Sequence, residues 1–324
     1  MSSQSAATLK EVGKSVRADS VEPLELGWIR LFTPGLQWMM AAIALMVFAG
    51  EAWAAHLVAL GGVASNVAKS LPGLGLLIAV SIYCRWRGFN RFFEFTRLLV
   101  WSVIGIRLVG PLVLLAGRTH SVLVDPALLR LDSGLHFSTA VIVRAIAHLP
   151  ILQLILAVSY NLWIPLAAAA LLVPVICGRP TDSRRYVLSL AIGSLITTAL
   201  FALWPAVGPW RMEGFAASQQ QAAVESYLSL LKSPGSVEIN PDAGGIIAFP
   251  SFHVVLALLS AIALWGIRWL RWIALGVAAM ICVSTITTGW HYLTDVLGGF
   301  AVTAVAIALA RWMIKSPEAP SLDT

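Results

Sequence analysis

Residues 249–314 read FPSFHVVLALLSAIALWGIRWLRWIALGVAAMICVSTITTGWHYLTDVLGGFAVTAVAIALARWMI. Three apolar runs lie inside this stretch, at 250–267, 272–290 and 291–314, with a short Arg268–Arg271 turn between the first two. A helix that crosses a bilayer needs roughly 20 mostly apolar residues. The stretch therefore predicts three consecutive membrane helices, the first two forming a hairpin that returns residue 291 to the depth of residue 253.

Five further apolar runs precede it, at 33–60, 65–84, 98–117, 150–177 and 186–206, most of them bounded by Pro, Gly or charged residues. The whole chain of 324 residues is 58% hydrophobic and only 12% charged, with a mean hydropathy of +0.82. These values exclude an ordinary soluble domain. The expected fold class is all-α, a polytopic integral membrane protein of about eight transmembrane helices. The first 30 residues are polar and read as a retained cytoplasmic tail, because the short apolar stretch of a signal peptide is lacking. Residues 118–149 mix Asp125, Arg130, Asp132, His136, Arg144 and His148 with leucines and valines; they suggest an interfacial helix in place of a span. Cys84, Cys177 and Cys282 lie in or beside apolar runs, which supports neither a disulfide framework nor a thiolate metal site.

The net charge of +6 would point to nucleic acid in a soluble protein. Here the basic residues cluster beside apolar runs, so they read as topology determinants and nucleic acid is not an expected partner. With eight spans and a cytoplasmic N-terminus, fifteen Lys and Arg fall on the cytoplasmic side, in the groups beginning at Lys10, Arg85, Arg179, Arg268 and Arg311. Six fall on the other side: Lys69, Arg118, Arg130, Arg144, Arg211 and Lys232. The expectation is a multi-pass protein of the cell (inner) membrane, with both termini cytoplasmic and the 207–249 connection and His291 on the extracytoplasmic face.

Two motifs meet at that face. Phe249-Pro250-Ser251-Phe252-His253 precedes the sixth run, and Pro suits a first helical turn, which places Ser251, Phe252 and His253 in that turn. A helix N-terminus is a ready phosphate site. Gly289-Trp290-His291-Tyr292-Leu293-Thr294-Asp295 opens the eighth run, and on a helix His291 and Asp295 would stack on one face. A carboxylate one turn from an imidazole can fix its tautomer while the other ring nitrogen attacks. A lone H-x-x-x-D arises often by chance; the convergence of both motifs on one face is what favours chemistry, since ionisable groups in membrane helices are costly.

F-P-S-F-H followed by G-W-H-Y-L-T-D-V-L-G-G resembles the second and third signature motifs of the type-2 phosphatidic acid phosphatase superfamily. More narrowly it resembles the branch with fungal inositol phosphorylceramide synthase and its bacterial relatives, and sphingomyelin synthases share H-Y-x-x-D-V. The resemblance covers about residues 118–314, including Asp125, Leu131-Asp132 and Trp204–Arg211. It implies a six-helix core, here 98–316, preceded by two extra helices within 31–97 and followed by a tail at 317–324. It also implies roles: His291 the nucleophile that forms a phosphohistidine, Asp295 its orienting partner, His253 the acid and base, and Ser251 a contact to phosphoryl oxygens. Neither a metal nor a cofactor is implied. The expected partners are a lipid phosphate or phospholipid donor, a lipid alcohol acceptor and the bilayer.

The departures bear on substrate. The wider superfamily has P-S-G-H where this chain has Phe252, and Ser-Arg where it has Ser284-Thr285; Arg211 alone stands as a candidate for the first motif. Fewer cations suit a phosphodiester, with one charge, better than a monoester with nearly two. The leading expectation is transfer of a phospho-headgroup between lipids, with a lipid phosphate phosphatase as the alternative and a non-catalytic transporter or scaffold as the rival from another class. Arg107, inside the third run, is expected either to pair with Glu51 or to serve the lipid phosphate, and Arg107, Lys232 or Arg144 could supply missing charge. Trp28, Trp38, Trp204, Trp210, Trp269, Trp272 and Trp312 read as an aromatic belt, and Asn161 as a helix–helix hydrogen bonder or a substrate contact. Tyr292, Thr294, Trp210 and the 211–248 loop are candidates for headgroup selectivity, and Ser251, Arg211, Phe252 and Tyr292 are the expected substrate-binding residues. Residues 216–231 are expected to form a short helix, either a lid or an inert part of the 211–248 loop.

Overall fold

The computed structural model describes residues 60–61, 63–119, 121–235, 237–238 and 245–314. Twelve helices account for most of these: α1 (Val63–Trp86), α2 (Asn90–Gly117), α3 (Asp125–Gly134), α4 (Thr139–Ala147), α5 (Pro150–Tyr160), α6 (Trp163–Ile176), α7 (Pro180–Leu203), α8 (Trp210–Glu213), α9 (Gln219–Lys232), α10 (Phe252–Leu264), α11 (Arg271–Thr287) and α12 (Leu293–Met313). A two-residue parallel pairing of Leu60–Gly61 with Val237–Glu238 is the extended structure among them. The protein is an all-α polytopic membrane protein. α2, α7 and α12 are each long and apolar enough to cross a membrane, and α5 with α6 makes a bent fourth candidate. α10, α11 and the Leu71–Trp86 part of α1 are shorter apolar helices. The first expected run, with Glu51, His56, Trp28, Trp38 and the terminal tails, lies outside the described residues.

α10 is the centre of the bundle. It packs against α6, α7, α11 and α12, and Val254, Val255, Leu256, Ala257, Leu259, Ser260, Ala261, Ala263 and Leu264 are all buried. A helix apolar on every side belongs in such a position. The one polar side chain in that list, Ser260, satisfies its hydroxyl on Leu256 O (2.7 Å) and meets Tyr186 of α7.

Two expectations about helix starts need correction. α10 begins at Phe252, with Ser251 as its N-cap in extended conformation, so Pro250 stands before the helix and Ser251 outside its first turn. α12 begins at Leu293, so His291 is not on the helix that carries Asp295. The N-cap there is Tyr292, and Asp295 at N3 accepts its main-chain N–H (2.9 Å). A carboxylate at N3 is a better use of Asp295 than a second helical turn would be, because it satisfies one of the helix's orphan donors.

The run at 150–177 is broken, not continuous: α5 and α6 meet at a 41° bend. Pro165 has no N–H to bond the carbonyl four residues back, at Asn161. Asn161 does not bridge helices; its Nδ2 bonds Ala157 O (3.2 Å) of its own helix. The mixed stretch 118–149 forms two short helices, α3 and α4, where one was expected. Residues 219–232 do form a helix, α9, opened by a Ser218/Gln221 capping box.

Candidate active site

The two histidine motifs come together through a pair of glycines. A Cβ on Gly298 would stand 3.0 Å from Pro250 Cβ, and one on Gly299 would stand 2.9 Å from Ser251 O and from Val254 Cβ. Glycine at both positions lets α12 lie directly on the Pro250-Ser251 segment. Ser251 N then donates to the main-chain oxygen of Asp295 (3.0 Å).

His253 and His291 face each other with ring centroids 6.2 Å apart. His291 is 3% exposed, and its Nδ1 is 2.9 Å from Ala248 O and 3.3 Å from Asp295 Oδ2. Both neighbours are acceptors, so Nδ1 carries the proton and Nε2 keeps its lone pair. The main-chain N–H of His291 donates to Thr285 O (3.1 Å), as does that of Trp290. His253 stands among aromatic rings: Tyr160 at 4.3 Å, tilted by 31°, and Trp163 edge-on at 6.1 Å. The Tyr160 hydroxyl is 3.4 Å from His253 Nδ1. Trp290 continues the array, stacked on Tyr160 and edge-on to Trp210. Tyr160 and Trp163 flank the α5–α6 bend, which is how one broken run supplies two rings to one histidine.

α3 holds the other side of the site. Asp125 and Asp132 are seven residues apart, two turns along one helix face, and are 1% and 0% exposed. Asp132 accepts Leu293 N (2.8 Å), Thr294 N (2.9 Å) and the Thr294 hydroxyl, and so caps α12 from another element. Asp125 accepts Val207 N (3.0 Å) and Gly208 N (2.9 Å), and lies 3.4 Å from the Tyr292 hydroxyl. Burial raises the Asp125 carboxyl above its ordinary pKa, with the Gly208 and Val207 N–H groups pulling the other way. Gly208 has φ of 147°, and a Cβ on it would stand 2.1 Å from the Trp210 ring.

Ser251 is fully buried and its hydroxyl has no partner among the described residues, as is true of Asp295 Oδ1. Phe252 is half-buried at the start of α10. Tyr292 is fully buried with its hydroxyl 3.3 Å from Gly208 O, so it props the loop and its ring is not open to a headgroup. Arg211 is engaged by Glu225 Oε1 at 3.2 Å. Lys232 donates to Thr119 O and Ser121 O (2.9 and 3.1 Å), and burial lowers its pKa. Arg144 donates to Glu213 O (3.3 Å), and Arg107 is exposed on α2. Thr285, at the position of the wider superfamily's arginine, is fully buried with its hydroxyl on Cys282 O. Trp269, Trp272 and Trp312 are exposed, but Trp210 is 5% exposed and belongs to the site, not to a belt. Among the described residues no group of three or more His, Cys, Asp or Glu has the arrangement of a metal site.

α9 roofs this region. Val224, Tyr227, Leu228 and Leu231 pack with Trp210, Phe201 and Val207, with Trp290 against them, and Gln221 Nε2 donates to Thr288 O (3.2 Å). Glu225 ties α9 to Trp210 Nε1 (3.1 Å).

Fold and site together define a helical membrane protein with two facing histidines, one of them backed by a carboxylate. The model of the PAP2 superfamily matches residues 126–309, more than half of the chain. The protein belongs to the PAP2 superfamily, whose members are generally phosphatases and phosphotransferases acting on lipid phosphates. No curated protein and no solved structure matches the chain.

Proposed function

We propose that the protein transfers a phospho-headgroup between lipids through a phosphohistidine at His291. The observation that carries this reading is the placing of His253 and His291, from separate elements, with ring centroids 6.2 Å apart. His291 Nε2 attacks phosphorus, and the bond to the leaving alcohol's oxygen breaks. His253 gives that oxygen a proton. An acceptor hydroxyl then loses its proton to His253 as its oxygen attacks phosphorus, the P–N bond breaks, and both imidazoles are restored. Asp295 and Ala248 O orient His291. The buried Ser251 hydroxyl beside the α10 N-terminus is suited to a phosphoryl oxygen.

Two findings support transfer from a diester over hydrolysis of a monoester. Arg211, Lys232 and Arg144 are each engaged by protein partners, Glu225, the Thr119 and Ser121 carbonyls and the Glu213 carbonyl, and the rings around His253 are aromatic, which suits a donor of low charge. The likeness of the motifs to inositol phosphorylceramide synthases points the same way. The Lys and Arg distribution supports cytoplasmic termini and an extracytoplasmic site in the inner membrane. Phosphatase activity is the second reading, with water as the acceptor, and superfamily membership fits it as well as it fits transfer.

The test uses the purified full chain in lipid micelles with labelled phosphatidic acid, phosphatidylinositol or isoprenyl diphosphate, with and without ceramide or diacylglycerol, beside His291→Ala. A new phospholipid formed only by the unmutated protein is the expected result. Free phosphate without a new lipid would replace transfer by hydrolysis, and equal signals from both proteins with every donor would overturn the catalytic reading.

A further inference from the structure

The end of the bundle away from the histidines holds a recess. Arg185 Nε and Nη2 donate to Ile314 O (3.1 and 2.9 Å), which places the start of α7 beside the end of α12, opposite Asp295. There the α1–α2 and α6–α7 turns border a shallow, open cavity of about 440 Å³, lined by Arg85, Asn90, Arg91, Phe93, Glu94 and Arg184 among others.

Its charge is unbalanced. Glu94 is the acid in the lining, and both its oxygens are taken: Oε1 by Arg184 Nε at 2.6 Å, Oε2 by Arg97. Arg91 reaches a neutral acceptor, Ile176 O (3.0 Å), and Arg85 lies over the Phe93 ring at 5.6 Å. Both are exposed. Helices α2 and α7 begin at this cavity, and neither N-cap, Phe89 or Arg179, caps its helix through a side-chain hydrogen bond. The positive dipole end of α2, with no acid in its first turn, adds to the arginines, while that of α7 is met by Asp182, paired with Arg179 at 2.6 Å.

We infer that this cavity binds a phosphate group, carried by an acidic phospholipid headgroup or by a soluble phosphate compound. The arginine fork matches phosphate oxygens in pairs. Basic recesses among the ends of membrane helices are suited to acidic headgroups, and helix N-termini to anions. The inference concerns a site apart from the histidines and stands whether or not they are catalytic.

The test is lipid retention in native mass spectrometry, with thermal unfolding beside it, on the full chain in phosphatidylcholine nanodiscs. One sample adds phosphatidylglycerol and another adds millimolar inorganic phosphate. Phosphatidylglycerol should be retained and should raise the unfolding temperature, and Arg85→Gln/Arg91→Gln should weaken this about tenfold or more, as loss of charge-assisted hydrogen bonds requires. Arg268→Gln/Arg311→Gln, a charge-matched change elsewhere at that end, should leave it intact. Arg85→Gln alone, whose side chain touches only the Phe93 ring among the contacts described, should fold and show a smaller loss. Stabilisation by inorganic phosphate as strong as by the lipid identifies a soluble ligand; stabilisation by the lipid alone identifies a headgroup. No response to either, or the same response in the cavity variants as in the unmutated protein, overturns the inference.

Discussion

The Nδ1 of His291 lies closer to the carbonyl oxygen of Ala248 than to the carboxylate of Asp295, 2.9 Å against 3.3 Å. A carbonyl only accepts, so the tautomer of His291 is held by the main chain even without the carboxylate.

Asp295→Asn is therefore expected to keep the reactive tautomer and to lower turnover about 10- to 100-fold, the scale known for a carboxylate that orients a metal-bound histidine. His291→Ala should abolish turnover. Single-turnover assays on one lipid donor compare the two, and equal losses would show that the carboxylate does more than orient.

Asp132→Ala leaves two main-chain donors and the Thr294 hydroxyl without their acceptor at a fully buried position. The expected cost is about 1–3 kcal/mol, seen as a lower unfolding temperature in detergent, with Asp132→Asn in between. An unchanged midpoint for the alanine variant would mean that α12 has another cap.

Much of this was legible in the sequence, and what was not has physical reasons. Apolar runs report helix positions directly, and seven of the eight expected runs fall on described helices, of which three, or four with the bent pair, are long and apolar enough to cross a membrane. The bend at Asn161 was hidden because the residues on both sides are equally apolar, although Pro165 marks it in hindsight. His253 and His291 were found by motif, but Ala248 acts through its main chain and leaves no signal in its side chain. Tyr160 and Trp163 reach His253 only through the bend. Asp125 and Asp132 did carry a signal, a seven-residue spacing on one helix face, which the surrounding leucines and charges obscured.

Asp125 gives a test by pH. Its folded pKa is raised above 3.8 by burial, so its contribution to stability is fully present below that ordinary value. It is lost as pH rises through the raised value. The difference in unfolding temperature between the unmutated protein and Asp125→Asn should shift against the unmutated protein as pH rises across that window. A difference that stays flat, or grows in the other direction, refutes the assignment.

Gly299→Ala puts a Cβ 2.9 Å from both Ser251 O and Val254 Cβ. Neither neighbour is the end of a flexible chain, so overpacking of about 1–3 kcal/mol is expected. Gly276→Ala, with open space around it, serves as the control in the same melting experiment. Equal stability of the two variants would show that α12 can retreat from Ser251 freely.

The grip of α3 on α12 has a mechanical consequence. α3 leaves Leu131, and Leu135 just past its end, exposed, while its two carboxylates hold Gly208, Leu293 and Thr294 by rigid hydrogen bonds. A load applied to that outer face is passed by these hydrogen bonds to the first turn of α12, which begins two residues past His291. Bilayer thickness and lateral pressure, acting on α3, are thus coupled to the helix start that follows His291.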